Sequence, residues 1–320
     1  MNSSPLGYLD AAGPRAHSIL PLTCFTLAVS IVVCLVIGVL LWIAVLRRRP
    51  GDAALGMRAI PLQRGTGGIR WISIGLIVSA LPLAVTLVWT LMTLSAIAGP
   101  PVNPGLVLDV TARQWWWQVQ YPSTHPTDIV ITANEIHIPI GVPVLVRLHG
   151  SDVIHSFWVP KLSGKTDVIP GLTNLSWLQA DAPGRYRGQC SEYCGSQHAH
   201  MAFEVVAESK ADFDRWLDRQ RREAVQPSTP EQTRGLALVE YRCGLCHRVR
   251  GTAAGAINAP DLTHLMSRQT LAAGTLPNNP ANLAGWVQNP QFIKPGNLMP
   301  NQELSAPQLS DTLAYLESLE

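Results

Sequence analysis

Two long, uninterrupted apolar runs dominate the first hundred residues. Residues 22–46 supply 25 consecutive positions without a charge, and residues 71–97 supply 27 more. At ~1.5 Å rise per residue either run exceeds a hydrocarbon core of ~30 Å, so each predicts a membrane-spanning helix. Pro82 within the second run is tolerable there and can kink it. After a proline-rich exit at 100–104 the pattern shortens. Stretches at 106–110, 129–132, 142–148, 172–178 and 203–206 are rich in Val, Ile and Leu and are separated by Gly, Pro, Asn or Asp. That pattern predicts an all-β sandwich or barrel. Residues 211–224 read as a charged helix, and QPSTP at 226–230 as a linker. From residue 231 onward, helical stretches flank long Gly/Pro/Asn loops, and an amphipathic run at 305–319 closes the chain.

Composition fits this division: 47% of residues are hydrophobic and 14% charged, with a mean hydropathy of +0.14. The net charge of +2 conceals an asymmetry. Residues 1–100 carry seven arginines against two aspartates, whereas residues 101–208 carry six basic against nine acidic residues. Basicity confined to the apolar end argues for membrane topology and against nucleic-acid binding. The loop between the runs holds Arg47, Arg48, Arg49, Arg58, Arg64 and Arg70 with Asp52 as its single acid, while Arg15 alone precedes the first run. By the positive-inside rule the loop is cytoplasmic, and the N-terminus and everything beyond residue 98 lie outside. A cleaved signal peptide is the rival reading of the first run, but its apolar core is too long and a second span follows. The expected organisation is an extracytoplasmic segment at 1–21, a helical hairpin at 22–98, a β domain at 99–208, a helix and linker at 209–230, and a last domain at 231–320.

Of six cysteines, Cys24 and Cys34 fall in the first span, where apolar packing is the simplest role. The others form two close pairs, and outside the cytoplasm either pair has a disulfide as its plainest alternative. The second pair reads Cys243-Gly-Leu-Cys246-His247, the c-type haem attachment pattern, with two thioether bonds and an adjacent proximal histidine. A six-coordinate haem needs a distal ligand. Met299 suits that role because flanking prolines in KPGNLMP (294–300) stiffen its loop. Met266, within the helix-like LTHLMSR, is the rival. This segment resembles a class I cytochrome c, all-α, and the resemblance implies that the carbonyl of Pro260 supports the proximal histidine.

The first pair sits in CSEYCGSQHAHM at 190–201. Thiolates, imidazoles and a thioether together select copper over hard cations. A Cys-x3-Cys pair suggests two metals bridged by two sulfurs, with four-coordinate zinc left open. His155, in SDVIHSFW (151–158), supplies a second imidazole. His200 takes no metal role, nor do His125, His137, His149 and His264.

The motifs DVIHSFWVP (152–160) and CSEYCGSQHAHM, with the spans and RQWWWQVQY (113–121), resemble subunit II of cytochrome c oxidase over residues 20–208. The resemblance implies a cupredoxin-like Greek-key barrel holding a binuclear CuA centre. Cys190 and Cys194 would bridge the coppers, His155 and His198 would be terminal ligands, and Met201 and the Glu192 carbonyl would be weak axial ligands. The Glu192 carboxylate would reach a magnesium ion at the boundary with subunit I. Trp115 would be the aromatic through which electrons arrive, and strand alternation puts Trp115 and Trp117 on one face with Trp116 on the other. With the fused haem domain, the whole resembles the cytochrome c-fused branch of haem–copper oxidases of a bacterial inner membrane, with the copper and haem domains on the periplasmic face. It would accept electrons from cytochrome c or another donor and pass them to subunit I, where oxygen reduction is coupled to proton translocation. One position departs from the family: Gly68 stands three residues before Trp71, where a glutamate is common, so no proton-handling residue is assigned. The competing readings are a quinol oxidase subunit, which would lack copper ligands; a nitrous-oxide-reductase-like module, which would lack the spans and haem; and a membrane-anchored redox sensor outside any oxidase.

Overall fold

The structure is a computed structural model that describes residues 6–47, 67–99 and 103–320. Arg48, Arg49, Asp52, Arg58 and Arg64 of the inter-span loop lie outside the described residues. The chain divides into a membrane unit, residues 18–98, and a second unit formed by the N-terminal segment with everything from residue 99 onward. The membrane unit contains most of α1 (Pro14–Leu46) and α2 (Gly67–Ile97). Both are long and apolar enough to cross a membrane. Helix α1 begins eight residues before the apolar run, with a proline in its first turn, where a missing N–H is harmless. Cys24 and Cys34 are exposed on α1, which corrects the expectation of buried packing. The apolar surfaces of these helices have little protein to cover them.

The segment ahead of α1 belongs to the β domain. Ala12 donates its N–H to Lys161 O at 2.7 Å and accepts from Asp181 N–H at 2.9 Å. Arg15, buried at the start of α1, donates to Ser176 Oγ and Trp177 O at 3.0 and 2.9 Å, and its guanidinium lies over the Trp177 ring. A Cβ on Gly13 would stand 2.2 Å from Gln179 O, so only glycine allows the segment to lie this close.

Ten strands build two five-stranded sheets. One has the order β3-β2-β1-β5-β8 and the other β4-β10-β9-β6-β7. The strands are β1 (Leu106–Arg113), β2 (Trp116–Tyr121), β3 (Val130–Ala133), β4 (Glu135–Pro139), β5 (Val144–Gly150), β6 (His155–Trp158), β7 (Thr166–Val168), β8 (Thr173–Leu178), β9 (Gly184–Cys190) and β10 (Ala202–Glu208). The β1–β5 and β4–β10 pairs are parallel and the other ladders antiparallel, a mixed cupredoxin-like sandwich. The two sheets share one core containing Leu108, Val110, Trp117, Ile136, Ile138, Phe157 and Phe203. Five of these strands follow the expected apolar runs. β9 reads GRYRGQC, and its inward Tyr186, Gly188 and Cys190 alternate with polar residues that mask the signal. A Cβ on Gly188 would collide with the Phe203 ring at 2.2 Å.

Helix α3 (Lys210–Gln220) is capped by Ser209 and lays Phe213 and Trp216 on the β domain. It ends four residues earlier than its charge pattern suggests. The Arg250 guanidinium collects the carbonyls of Gln220, Arg221 and Arg222, and Ala224 N–H donates to Arg250 O. The end of α3 is therefore satisfied by the last domain rather than by another helical turn. That domain comprises α4 (Pro230–Leu238), a π-turn at Val239–Cys243, a two-residue ladder of β11 (Thr270–Leu271) and β12 (Leu276–Pro277), α5 (Pro280–Gln288), α6 (Pro290–Ile293) and α7 (Ala306–Leu316). Thr229, Asn279 and Ser305 cap their helices ahead of early prolines, Ser305 in a full capping box. The α4–α7 crossing is tight: a Cβ on Gly235 would meet Asp311 O at 2.0 Å.

Candidate metal centre and haem site

His155 opens β6, Cys190 closes β9, and Cys194, His198 and Met201 lie on the connection between β9 and β10. The ladder pairing Phe157 with Cys190 brings His155 to the thiols. The two Sγ atoms stand 3.8 Å apart, well beyond a disulfide bond of ~2.05 Å. Around them, His155 Nδ1 lies 3.9 Å from Cys190 Sγ and the Glu192 carbonyl oxygen 3.3 Å from it. His198 Nδ1 lies 3.7 Å and Met201 Sδ 3.8 Å from Cys194 Sγ. All six donors named from the sequence thus converge. His155, Cys190, Cys194 and Met201 are buried, while the Glu192 side chain is exposed.

The electrostatics of this cluster couple its two thiols. The Cys190 thiol is held well below its ordinary range by the sulfur–sulfur contact with Cys194, against the effect of burial and with help from His155 and backbone groups. Cys194 is pushed far up, because Cys190 has taken the first negative charge and burial adds to the penalty. Two thiolates this close do not both ionise unless positive charge sits between them. His155 Nε2 bonds Asp152 Oδ1 at 2.7 Å. That contact places the N–H on Nε2 and leaves the Nδ1 lone pair facing the sulfurs. Burial alone would lower the His155 pKa, but Cys190 and Asp152 together raise it. Asp152 is itself oriented by the N–H groups of Gln114 and Val153. Asp152 has no role legible from its residue type alone; its spacing, three residues before the candidate ligand His155 at a strand end, is the available signal.

Trp115 packs against the connection at Cys194 and Gly195. Its indole N–H donates to Cys194 O at 2.9 Å, and the Gln114 side-chain amide donates to the same oxygen at 2.7 Å. Gly195, at φ +116°, makes this possible: a Cβ there would stand 2.9 Å from Trp115 Cζ2. Trp115 is only 9% exposed and Trp117 is fully buried, with Trp116 on the opposite face.

In the last domain, His247 Nδ1 bonds the Pro260 carbonyl at 2.7 Å. Burial lowers the His247 pKa, so the ring is neutral with Nε2 available to iron. Cys243 is partly buried and Cys246 exposed. Met299 is half-buried, and its loop is held by Asn297 Oδ1 accepting the Met299 N–H and by Gln291 donating to Met299 O, both at 2.7 Å. Met266 packs against the domain core and donates its N–H to Leu319 O, as expected of the rival methionine. Leu245, Phe292 and Leu298 are large apolar side chains left exposed beside these candidate ligands, the kind of surface a haem ring covers. The residues present fit a covalently attached haem.

Comparison with known proteins agrees with both halves. Residues 106–209 match the sequence family described as cytochrome C oxidase subunit II, periplasmic domain, and residues 232–320 match cytochrome c. A cytochrome c oxidase subunit 2 of Alkalihalophilus pseudofirmus is 35% identical over 97% of this chain and 90% of its own length. The chain belongs to the cytochrome c oxidase subunit II family. A second such subunit, from Bacillus sp. strain PS3, is 34% identical over 67% of this chain and 62% of its length. The solved periplasmic domain of subunit II of a Bradyrhizobium japonicum cytochrome oxidase is 29% identical, covers 38% of this chain and 96% of that one, and has a TM-score of 0.35. This member of the family carries a C-terminal cytochrome c domain, and the two domains imply copper and haem respectively.

Proposed function

We propose that this subunit II is the electron-input arm of a bacterial cytochrome c oxidase, anchored in the inner membrane with its copper and haem domains on the periplasmic face. When bound, a covalent haem c and a binuclear copper centre supply one-electron redox chemistry ahead of the oxygen-reducing, proton-translocating site of subunit I. Cytochrome c or another donor delivers electrons to the haem domain. Subunit I, the other oxidase subunits and the membrane are the remaining partners.

Cys190, Cys194, His155, His198, Met201 and the Glu192 carbonyl would hold the two coppers, the thiolates supplying the negative charge. Asp152 fixes the His155 tautomer. The exposed Glu192 carboxylate is available to a magnesium ion at the subunit I boundary. Cys243 and Cys246 attach the haem, His247 and Met299 hold its iron, and Pro260 orients His247. Gly68 stands where the family resemblance implies a glutamate, so this chain is given no proton-handling residue. The strapping of residues 7–17 onto the β domain supports the topology, since both then lie on one side of the membrane and the chain between them crosses an even number of times.

One observation carries the copper reading: four further donor atoms within 3.9 Å of a thiol pair held 3.8 Å apart. A quinol-oxidising relative would have no use for that set. Metal analysis with electron paramagnetic resonance on the full chain in detergent tests it. Two coppers per haem c, with hyperfine structure from an electron shared over two copper nuclei, is the expected result. Zinc, or one copper with a mononuclear spectrum, would refute it.

A further inference from the structure

The haem domain meets the copper-ligand loop through three consecutive residues, Lys294-Pro295-Gly296, which begin five positions before Met299. Lys294 is 3% exposed. Its Nζ donates to Trp115 O at 2.7 Å and to Ala272 O at 3.3 Å, and burial lowers its pKa to about 7. Pro295 O accepts from Gln197 Nε2 at 2.7 Å. Gln197 is buried next to His198, and its Oε1 faces His200 Nδ1 at 2.7 Å. Gly296 approaches so closely that a Cβ would lie 3.4 Å from Ser196 Oγ. A second line of contact runs beside the first: Ala202 N–H donates to Ala273 O at 3.0 Å, and a Cβ on Gly274 would stand 2.9 Å from Ala202 Cβ.

Burying an amino group, charged or neutral, is costly unless its donors find acceptors. Here the acceptors come from both sides of the seam, so Lys294 is satisfied only when the domains are together. Trp115 is held from both ends, its indole on Cys194 and its carbonyl on Lys294, and little of it remains on the surface. We propose that Lys294 is a positioning residue that locks the methionine-loop side of the haem domain onto Trp115 and the copper-ligand loop. The lock closes the copper site to soluble cytochrome c, so electrons enter this chain through its own haem domain. His200, which has no metal role, holds the Gln197 amide that secures Pro295. The inference rests on the copper and haem reading above. Tethering supplies the high effective concentration that makes one weakly partnered contact persistent.

The test uses the full chain in detergent and Lys294→Met, with Lys294→Arg as the conservative variant. Hydrogen exchange at the Ala202 amide reads docking without any electron transfer. Exchange at least tenfold faster in Lys294→Met, and restored towards the unaltered rate in Lys294→Arg, is the expected result. In rapid mixing with reduced soluble cytochrome c, the unaltered chain should show its own haem reduced first and its copper afterwards. Lys294→Met should show copper reduction without that lag, with its copper and haem spectra intact. Unchanged exchange at Ala202, or copper reduced ahead of haem in the unaltered chain, would overturn the lock. The second outcome needs no variant, so misfolding of Lys294→Met does not protect the proposal. Absence of copper or haem would overturn the functional reading instead, while the exchange measurement still decides the lock.

Discussion

The indole N–H of Trp115 donates to the carbonyl of Cys194 across 2.9 Å. One hydrogen bond therefore joins a proposed copper-binding cysteine to the aromatic through which the family resemblance routes electrons. The contact depends on Gly195, which lies between them in a left-handed conformation and has no side chain.

Gly195→Ala should displace Trp115 and deform the loop, at about 1–3 kcal/mol for the strained backbone alone. Copper content and the near-infrared and paramagnetic signatures should change even where the β domain remains folded. A variant with an unaltered copper spectrum would show that the loop tolerates a Cβ at this position.

Asp152→Asn keeps the oxygen that faces Val153 N–H and His155 Nε2, replaces the oxygen that accepts from Gln114 N–H with an amide donor, and removes the carboxylate charge from His155. Loss of such a partner typically costs ten- to a hundredfold in metal affinity. Competition against a copper chelator should show a weakening of about that size, with the fold retained by circular dichroism.

Met299→Ala should leave the haem covalently attached but open its iron to carbon monoxide, with the copper spectrum preserved. Met266→Ala should do neither, and should instead lower stability by about 2 kcal/mol through lost packing. Carbon monoxide binding to the reduced protein separates the two methionines.

His137 gives the β domain a pH-dependent anchor remote from the metals. Its imidazole is buried between Glu135 and Glu208 at 3.3 and 2.7 Å and stacks on Trp216. Burial alone would lower its pKa, but the two carboxylates raise it above 6.5. Glu135 is buried as well, yet His137 and Arg185 draw its pKa below 4.5. The sign follows from linkage: the His137 contribution is complete below its unfolded pKa and is lost as the pH rises through the higher folded value. The Glu135 contribution is present above its unfolded pKa and is lost as the pH falls. Thermal unfolding should therefore show the largest effect of His137→Gln between these limits, near pH 5–6 and about 3 kcal/mol for a broken buried pair, with a smaller effect at pH 8.5. An effect that does not change with pH would remove the ionic account.

The candidate metal and haem ligands are legible in the sequence because they are concentrated in short motifs. Cys190, Cys194, His198 and Met201 fall within twelve residues, and Cys243, Cys246 and His247 within five. Asp152, Gln114 and Lys294 were not legible in the same way. Asp152 is a common residue read only through its neighbour His155 three positions on, while Gln114 and Lys294 take their roles from partners far away in the chain, 80 positions for Gln114 and Cys194 and 179 for Lys294 and Trp115. The alternating strands with apolar faces were readable, whereas β9 was hidden by its outward arginines and glutamine.

The sequence by itself determined two apolar stretches of spanning length, a β-rich domain, a haem-attachment pentapeptide and a set of soft metal donors, because each is a local pattern of residue types. Only the tertiary structure decided that the six candidate donors converge, that the N-terminal segment is strapped to the β domain, and that the cytochrome c domain is seated on Trp115 through a buried lysine. Those are relations between segments brought together by sheet register and domain packing, and no local pattern encodes which distant carbonyl an ammonium will find.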